Sequence, residues 1–396
     1  MLQKGMALCL SVLLVCVGIK VFAQEKSENR GVSERLIAQI DLSSWIKNTL
    51  TVSPDGKRVA YWAQVGNKRF VVVDGKEEKQ YDDIVAGTLI FSPDSKRVAY
   101  GASVGSKRFA VVDGKEGKQY DIIGVNSLIF SPDSKRVAYR AMAKVDNKWF
   151  AVAVVDGKEE RQYGYIVDGT PIFSPDSKRV AYGARMDNRR FVVVVDGKEE
   201  RQYDDIAEGT PIFSPDSKRV AYGASVGNKW FVVVDGKEEK QYDGIGGGSL
   251  IFSPDGKRMA YMAIVGNKWF VVVDGREEKQ YDGIGRGSLI FSLDGKRVAY
   301  GAMAKVDNKW FAVAVVDGRE EKQYDGTGNP IFSPDGKRVA YGARAGDKQF
   351  VVVDGKEGRQ YDTLLVGGKI VFDSPDGLHY LASKGSEIYL VEEKIK

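Results

Sequence analysis

The chain is poor in the residues on which most catalytic and cross-linking chemistry depends. Its 396 residues include two cysteines and one histidine. Both cysteines, Cys9 and Cys16, stand near the N-terminus. If that segment is removed, the mature chain has neither a disulfide nor a thiol nucleophile. A single histidine, His379, excludes zinc sites built from His/Cys clusters, and hydrolase or lyase sites that need several histidines. Walker A, HExxH and Rossmann patterns are missing. Charge of one sign is scarce as well. The 59 Lys+Arg stand against 54 Asp+Glu, a net +5, too small an excess for a dedicated nucleic-acid binder. Beyond the N-terminal segment no stretch sustains a 3.6-residue apolar period, Glu34 to Ile40 being short and ambiguous.

Long apolar runs are limited to one, Met6 to Ile19, which is shorter than the roughly 20 residues of a spanning helix. Lys4 precedes it, and Val21-Phe22-Ala23 follows with small residues at the −3 and −1 positions. This is the pattern of a secretory signal peptide cleaved after Ala23; an uncleaved anchor is the alternative. Val15 stands where a lipoprotein signal would need a small residue before Cys16, so lipidation is not expected. Loss of Lys4 and Lys20 takes the net charge to about +3. The expected division is a signal peptide over 1–23, a flexible linker over 24–33 and one domain over 34–396. The mature protein is expected in a periplasm or outside the cell, with no stable membrane insertion.

What the chain has in abundance is repetition. SPDGKRVAY or a close variant begins at Ser53, Ser92, Ser131, Ser174, Ser214, Ser253, Ser292, Ser333 and Ser374, at intervals of 39, 39, 43, 40, 39, 39, 41 and 41 residues. One unit runs from Ser249 to Gly285 and carries four strand signals: Leu250 to Phe252, Arg258 to Ala263, Trp269 to Val273 and the more polar Glu278 to Asp282. Between them lie Pro254-Asp255-Gly256, Gly266-Asn267 and Asp274-Gly275, pairs suited to tight hairpins because they accept positive φ. Four antiparallel strands per unit of about 40 residues indicate an all-β fold, a β-propeller. The three apolar strands suit the interior of a blade, and the charged fourth suits an outer edge.

FSPDGKRVAY at 332–341, with its eight registered relatives, resembles the TolB-type, WD-repeat-like (SPDG-motif) propeller repeat. The resemblance covers residues from about 34 to 396 and implies the fold. The Gly-His and Trp-Asp dipeptides of true WD repeats are missing, and so is the α/β domain that TolB carries. Membership in the Tol transport machinery is therefore not implied. Nine units predict nine blades. Glu34 to Ile40 is expected to supply the last blade's missing fourth strand and close the ring; eight blades with an appended unit is the alternative.

The units differ mainly in the links between blades and in the second-to-third hairpins. Units three and seven share a longer hairpin, AMAKVDNKWFAVAVVDG, starting at Ala141 and Ala302. Its two extra residues on each side preserve the alternation of side chains. Unit four has an extra valine in Val192 to Val195, which predicts a bulge. Links and hairpins are expected on one face, the first and third turns on the other. The variable face is the candidate binding face, with Trp62, Arg140, Arg185, Met262, Arg286 and Arg344 as candidate residues; drift after duplication is the alternative. Trp149, Trp230, Trp269 and Trp310 alternate by unit with Arg69, Arg108, Arg190 and Gln349, as half-exposed blade-edge positions allow. One Asp per turn, as at Asp55, Asp94 and Asp133, reads as backbone capping and not as a calcium loop.

No catalytic residue, metal ligand or cofactor is expected. Gly101 to Gly105 and Gly223 to Gly227 match GxSxG, but they lie in strand signals instead of a strand-to-helix elbow. A carboxylate-pair glycosidase is not removed by acid counts, although near-identical repeats offer no unique acidic constellation. The expected function is a non-catalytic scaffold for an unidentified protein partner. A lectin-like propeller binding a glycan or small ligand is the alternative, and a hydrolase or lyase is the third reading.

Overall fold

The computed structural model describes residues 35–169, 171–186, 189–365 and 369–395. The expected signal peptide over 1–23 and the expected linker over 24–33 therefore lie outside the described residues. Every regular element among those described is a β-strand. The strands form nine sheets, seven of five strands and two of four, all antiparallel and each centred on one repeat. Consecutive sheets bury their faces against each other through shared apolar clusters. This is the nine-bladed β-propeller architecture; the ninth unit is a blade and not an appendage.

Blade two shows how a unit folds. Asp83–Ile84 and Ile90–Phe91 pair with opposite ends of Val98–Val104. That strand pairs with Lys107–Val112, which pairs with Lys115–Glu116. Alternation sends Tyr100 and Ala102 toward blade one, and Ala99 toward blade three. Both sides are buried because each blade is sandwiched. The tyrosines form a repeated seam. Tyr81, after the fourth strand of blade one, meets Tyr100 edge to face with centroids 6.4 Å apart. The pairing recurs through Tyr361–Tyr380 at 6.2 Å, each pair contributing about 0.5–1.5 kcal/mol beyond burial.

The first and third turns lie together and fasten each blade to the next. Ser92 Oγ donates to Asp94 Oδ1 at 2.6 Å, and Lys96 N donates to the same oxygen at 3.1 Å. Asp113 opens the third turn at φ 49°, in the left-handed region, and accepts from Val98 N and Arg97 Nε. Arg97 Nη1 then donates to Ser134 O at 2.9 Å and Lys135 O at 2.8 Å in blade three. Its guanidinium lies 5.1 Å from the Phe130 centroid. The near-constancy of SPDGKR and DGK thus has a structural cause: the Arg, the Asp and the Phe form one latch, repeated at Arg58, Arg136 and Arg179.

Three expectations need correction, and a fourth is met in one ladder of its blade. The links are not loops on a face. Each contributes half of an edge strand of the next blade, and a hydroxyl tucks its middle inward: Thr88 Oγ1 donates to Val85 O and accepts from Gly101 N. The fourth strand is shorter than expected in most blades, as at Arg276–Glu277, with Tyr281 bridging back to Trp269. The irregularity expected at the extra valine of unit four is present between Val192 and Val194, in the ladder with the fourth strand, and blade three has the same shift between Val152 and Val154; the ladder with the second strand is regular. Val192 takes the fully buried place that Phe holds elsewhere, and Phe191 shifts to the half-buried edge. Finally, Arg35 to Ile40 forms no strand, and Glu34 lies outside the described residues. Asp41 caps a tight turn, accepting from Ser43 N and through its carbonyl from Trp45 N. That turn holds Ile40 and Trp45 against Tyr61, Ala63, Phe70 and Val72 of blade one. Glu387–Lys394, the third strand of blade nine, pairs only with Gly377–Lys384 among the described residues.

Candidate binding surface

The turn side of the molecule is occupied by its own latches. Serine hydroxyls and backbone N–H groups hold Asp55, Asp94 and Asp133 below the usual carboxylate range, as capping turns require. A cleft of about 570 Å³ opens there between blades six and seven, lined by Arg258, Arg276, Glu278, Lys296, Arg297 and Asp317. Burial raises the Glu278 carboxyl, and Tyr300 Oη donates to it at 2.7 Å. Asp317 is held by Arg297 at 2.8 Å. Arg258, Arg297 and Asp317 belong to the repeated latch, whereas the Tyr300–Glu278 bond has no counterpart at Tyr100, Tyr182, Tyr222 or Tyr261, whose hydroxyls are buried without a hydrogen-bond partner among the described residues.

The hairpin side is different. Short tips turn through Gly66, at φ 59°, and long tips through Asp146-Asn147, both left-handed at 47° and 62°, the conformations that twist-matched two-residue hairpins need. In most blades an aspartate joins neighbouring hairpins: Asp82 accepts from Lys68 Nζ and from Gly105 N, each at 2.6 Å. The long hairpins of blades three and seven run in unbroken register from Ala138↔Val155 to Val145↔Lys148, and from Ala299↔Val316 to Val306↔Lys309. They project further, and neither Lys148 nor Lys309 makes an ion pair among the described residues. Trp149 is 47% exposed and Trp310 55%, whereas Trp230 and Trp269 are half-buried on short hairpins. Val145 and Val306 are exposed beside them.

The six candidate residues do not share one surface. Trp62, Arg140 and Met262 occupy one rung of the second strand, where Gly101, Gly183, Gly223, Gly301 and Gly342 stand in other blades. That rung faces the next blade: Met262 is buried, and Trp62 is half-buried against the Tyr100 cluster. Arg286 is exposed in a link, and Arg344 is exposed at a strand end, donating to Asp325 O.

Arg140 and Arg185 come together. Both guanidiniums lie over the Tyr165 ring, 5.9 and 5.8 Å from its centroid, and Arg140 pairs with Asp168. Burial works against ionisation of Asp168, and the bonds from Arg140 and Tyr165 outweigh it, so its pKa is lowered. Tyr165 and Asp168 were not singled out in the sequence. Their signal is the link GYIVDGT, where Gly164 and Tyr165 replace the usual Asp-Asp or Asp-Gly. The serines of the two GxSxG matches, Ser103 and Ser225, are buried within strands. His379 lies in blade nine, hydrogen-bonded to Asp373 at 2.8 Å. Among the described residues no cluster of His, Cys, Asp and Glu is placed to hold a metal, and no helix is long and apolar enough to cross a membrane.

No protein-family model matches the chain, and no curated protein matches it. Solved structures that resemble it include a eukaryotic initiation factor, 12% identical, with 85% of this chain and 96% of that one covered and a TM-score of 0.43. TolB from Acinetobacter baumannii is 21% identical over 57% and 62%, at 0.28. The β-propeller domain of the trilobed protease from Pyrococcus furiosus is 16% identical over 66% and 92%, at 0.31. At these scores and identities the likenesses carry no statement about activity. The chain's own nine sheets establish it as a β-propeller repeat protein.

Proposed function

We propose that the protein is a non-catalytic, exported propeller that holds a protein partner on its hairpin side. The observation that carries this reading is the pair of extended hairpins, each presenting an exposed tryptophan beside an exposed valine. Large aromatic side chains on a rigid support are the usual anchors of protein interfaces. Two arms of identical sequence on one scaffold can engage a partner with two equivalent sites, so that weak contacts reinforce one another. The TolB-type character of the repeat and the export of the mature chain belong to the same reading; the SPDG motif supports the first, and the pattern of residues 1–23 supports the second.

The test exchanges both long hairpins for the short hairpin of blade six. The mature chain, residues 24–396, and this variant are used to capture proteins from the native envelope and culture fluid. A protein held by the first and lost by the second, with unchanged circular dichroism, is the expected result. Equal capture by both forms would refute the assignment of the face. Glycan captured in place of protein would move the reading to a lectin, for which the exposed tryptophans also provide stacking surfaces.

A further inference from the structure

Blades two to four break the repeat at one place. Arg140 occupies the rung where five blades have glycine. Its guanidinium lies over Gly124, where a Cβ would stand 2.3 Å from Arg140 Nε. Arg140 Nη1 donates to Ile166 O at 3.3 Å and Tyr165 Oη at 3.4 Å, and it pairs with Asp168. Two blades earlier, in blade one, Arg69 pairs with Asp83 at 2.5 Å. At the matching position of the next link stands Ile122, so Arg108 has no ion pair among the described residues. Arg108, Arg140 and Tyr165 border a cavity of about 230 Å³, whose remaining wall includes Ile122, Val125 and Met142.

We propose that this cavity binds a small amphiphilic carboxylate, an anionic head on a short hydrocarbon body, with Arg140 as its anchor. The head is specified by the Arg140 guanidinium and the Tyr165 phenol, which lie together, with Arg108 also on the wall of an otherwise apolar space. A guanidinium receives a carboxylate with two parallel donors, and among the described residues only Nη1 of Arg140 is engaged. The Arg140 side chain is 18% exposed, so its pairing is less screened than that of a surface ion pair. The Asp168 side chain, 72% exposed in a link, is an internal carboxylate already on this seat, and a ligand head would displace it. The body is specified by the apolar wall and by size. The cavity is smaller than the roughly 300 Å³ at which drug-sized sites begin, and it suits a chain of a few methylenes. Two cationic groups exclude an amine of the same shape.

The test is isothermal titration calorimetry of the full chain with octanoate. Saturable binding is expected, with at least a tenfold loss in Arg140→Gly. That substitution installs the residue other blades carry, so the fold is retained and circular dichroism and thermal midpoint serve as controls. Asp168→Asn should bind octanoate several-fold more tightly, because the competing internal carboxylate is removed. Octylamine should not bind. The proposal is overturned if neither the natural chain nor Asp168→Asn binds octanoate, if Arg140→Gly binds it unchanged, or if octylamine binds as well.

Discussion

Replacement of Arg97 by alanine removes one whole latch. Its Nε–Asp113 contact at 2.8 Å and its two bonds to the carbonyls of Ser134 and Lys135 are lost together, along with its place over Phe130. Hydrogen bonds to a charged group contribute about 1.5–3 kcal/mol each when well buried. Here the Arg97 side chain is 29% exposed and Asp113 41%, so solvent screening reduces them strongly. The cation–π contact adds about 0.5–1 kcal/mol. The sum expected for the latch is about 2 kcal/mol. In a repeat array each unit is stabilised mainly by its neighbours, so the loss should be local to the seam between blades two and three. Hydrogen exchange read by mass spectrometry gives the measure. The amides of residues 131–136 should exchange roughly 30-fold faster, since 1.4 kcal/mol corresponds to a factor of ten, while those of blades six and seven should not change. Arg97→Lys should recover less than half of the protection, because an ammonium lacks the planar fork. Unchanged exchange at 131–136, or full recovery by lysine, would refute the reasoning.

Other outcomes follow from the same geometry. Gly223→Val places a Cβ 2.6 Å from Ala207 Cβ and should cost about 1–3 kcal/mol by overpacking; an unaltered thermal midpoint would contradict this. The turn aspartates have folded pKa values lowered by serine hydroxyls and backbone N–H groups. Their contribution is complete above the unfolded aspartate value, about 3.9, and is lost as pH falls through the lower folded values. Acid unfolding should begin below about pH 4, and Ser92→Ala should move it toward higher pH, as circular dichroism against pH would show. Trp149→Ala with Trp310→Ala should leave stability within about 0.5 kcal/mol, as for exposed positions generally; a larger fall in urea midpoint would show that the arms are structural.

Much of this fold was legible because the repeat is short-range. The Asp-Gly and Gly-Asn turns, the valine-rich third strand and the two-residue lengthening of units three and seven are local signals, and the strands stand where those signals place them. The errors lie where tertiary partners decide. Links such as DDIVAGT read as loops because nothing in them shows that Thr88 will bond Val85 O and Gly101 N and draw the link into the sheet. Unit four has its irregularity between Val192 and Val194, as the extra valine suggested, but blade three shares it without that insertion; what the sequence did not show is that Phe191 moves to the blade edge and Val192 enters the core. Arg140 and Met262 read as surface because variability looks like exposure. Their rung is an interblade contact, where Gly124 and Gly246 leave room for a larger side chain opposite. Tyr165 and Asp168 were missed because their partner, Arg140, stands 25 and 28 residues earlier in the sequence, across two strands of blade three.

In the proposed function the hairpin side carries the partner, while the turn side carries the latches. Photo-crosslinking decides this, with benzoylphenylalanine placed in turn at positions 149 and 310 on the arms and at 76 and 115 just after the third turns, in the full chain expressed in its native cells. One crosslinked protein shared by positions 149 and 310, and none from 76 or 115, is the expected result. Crosslinks from the third turns, or from neither side, would contradict it.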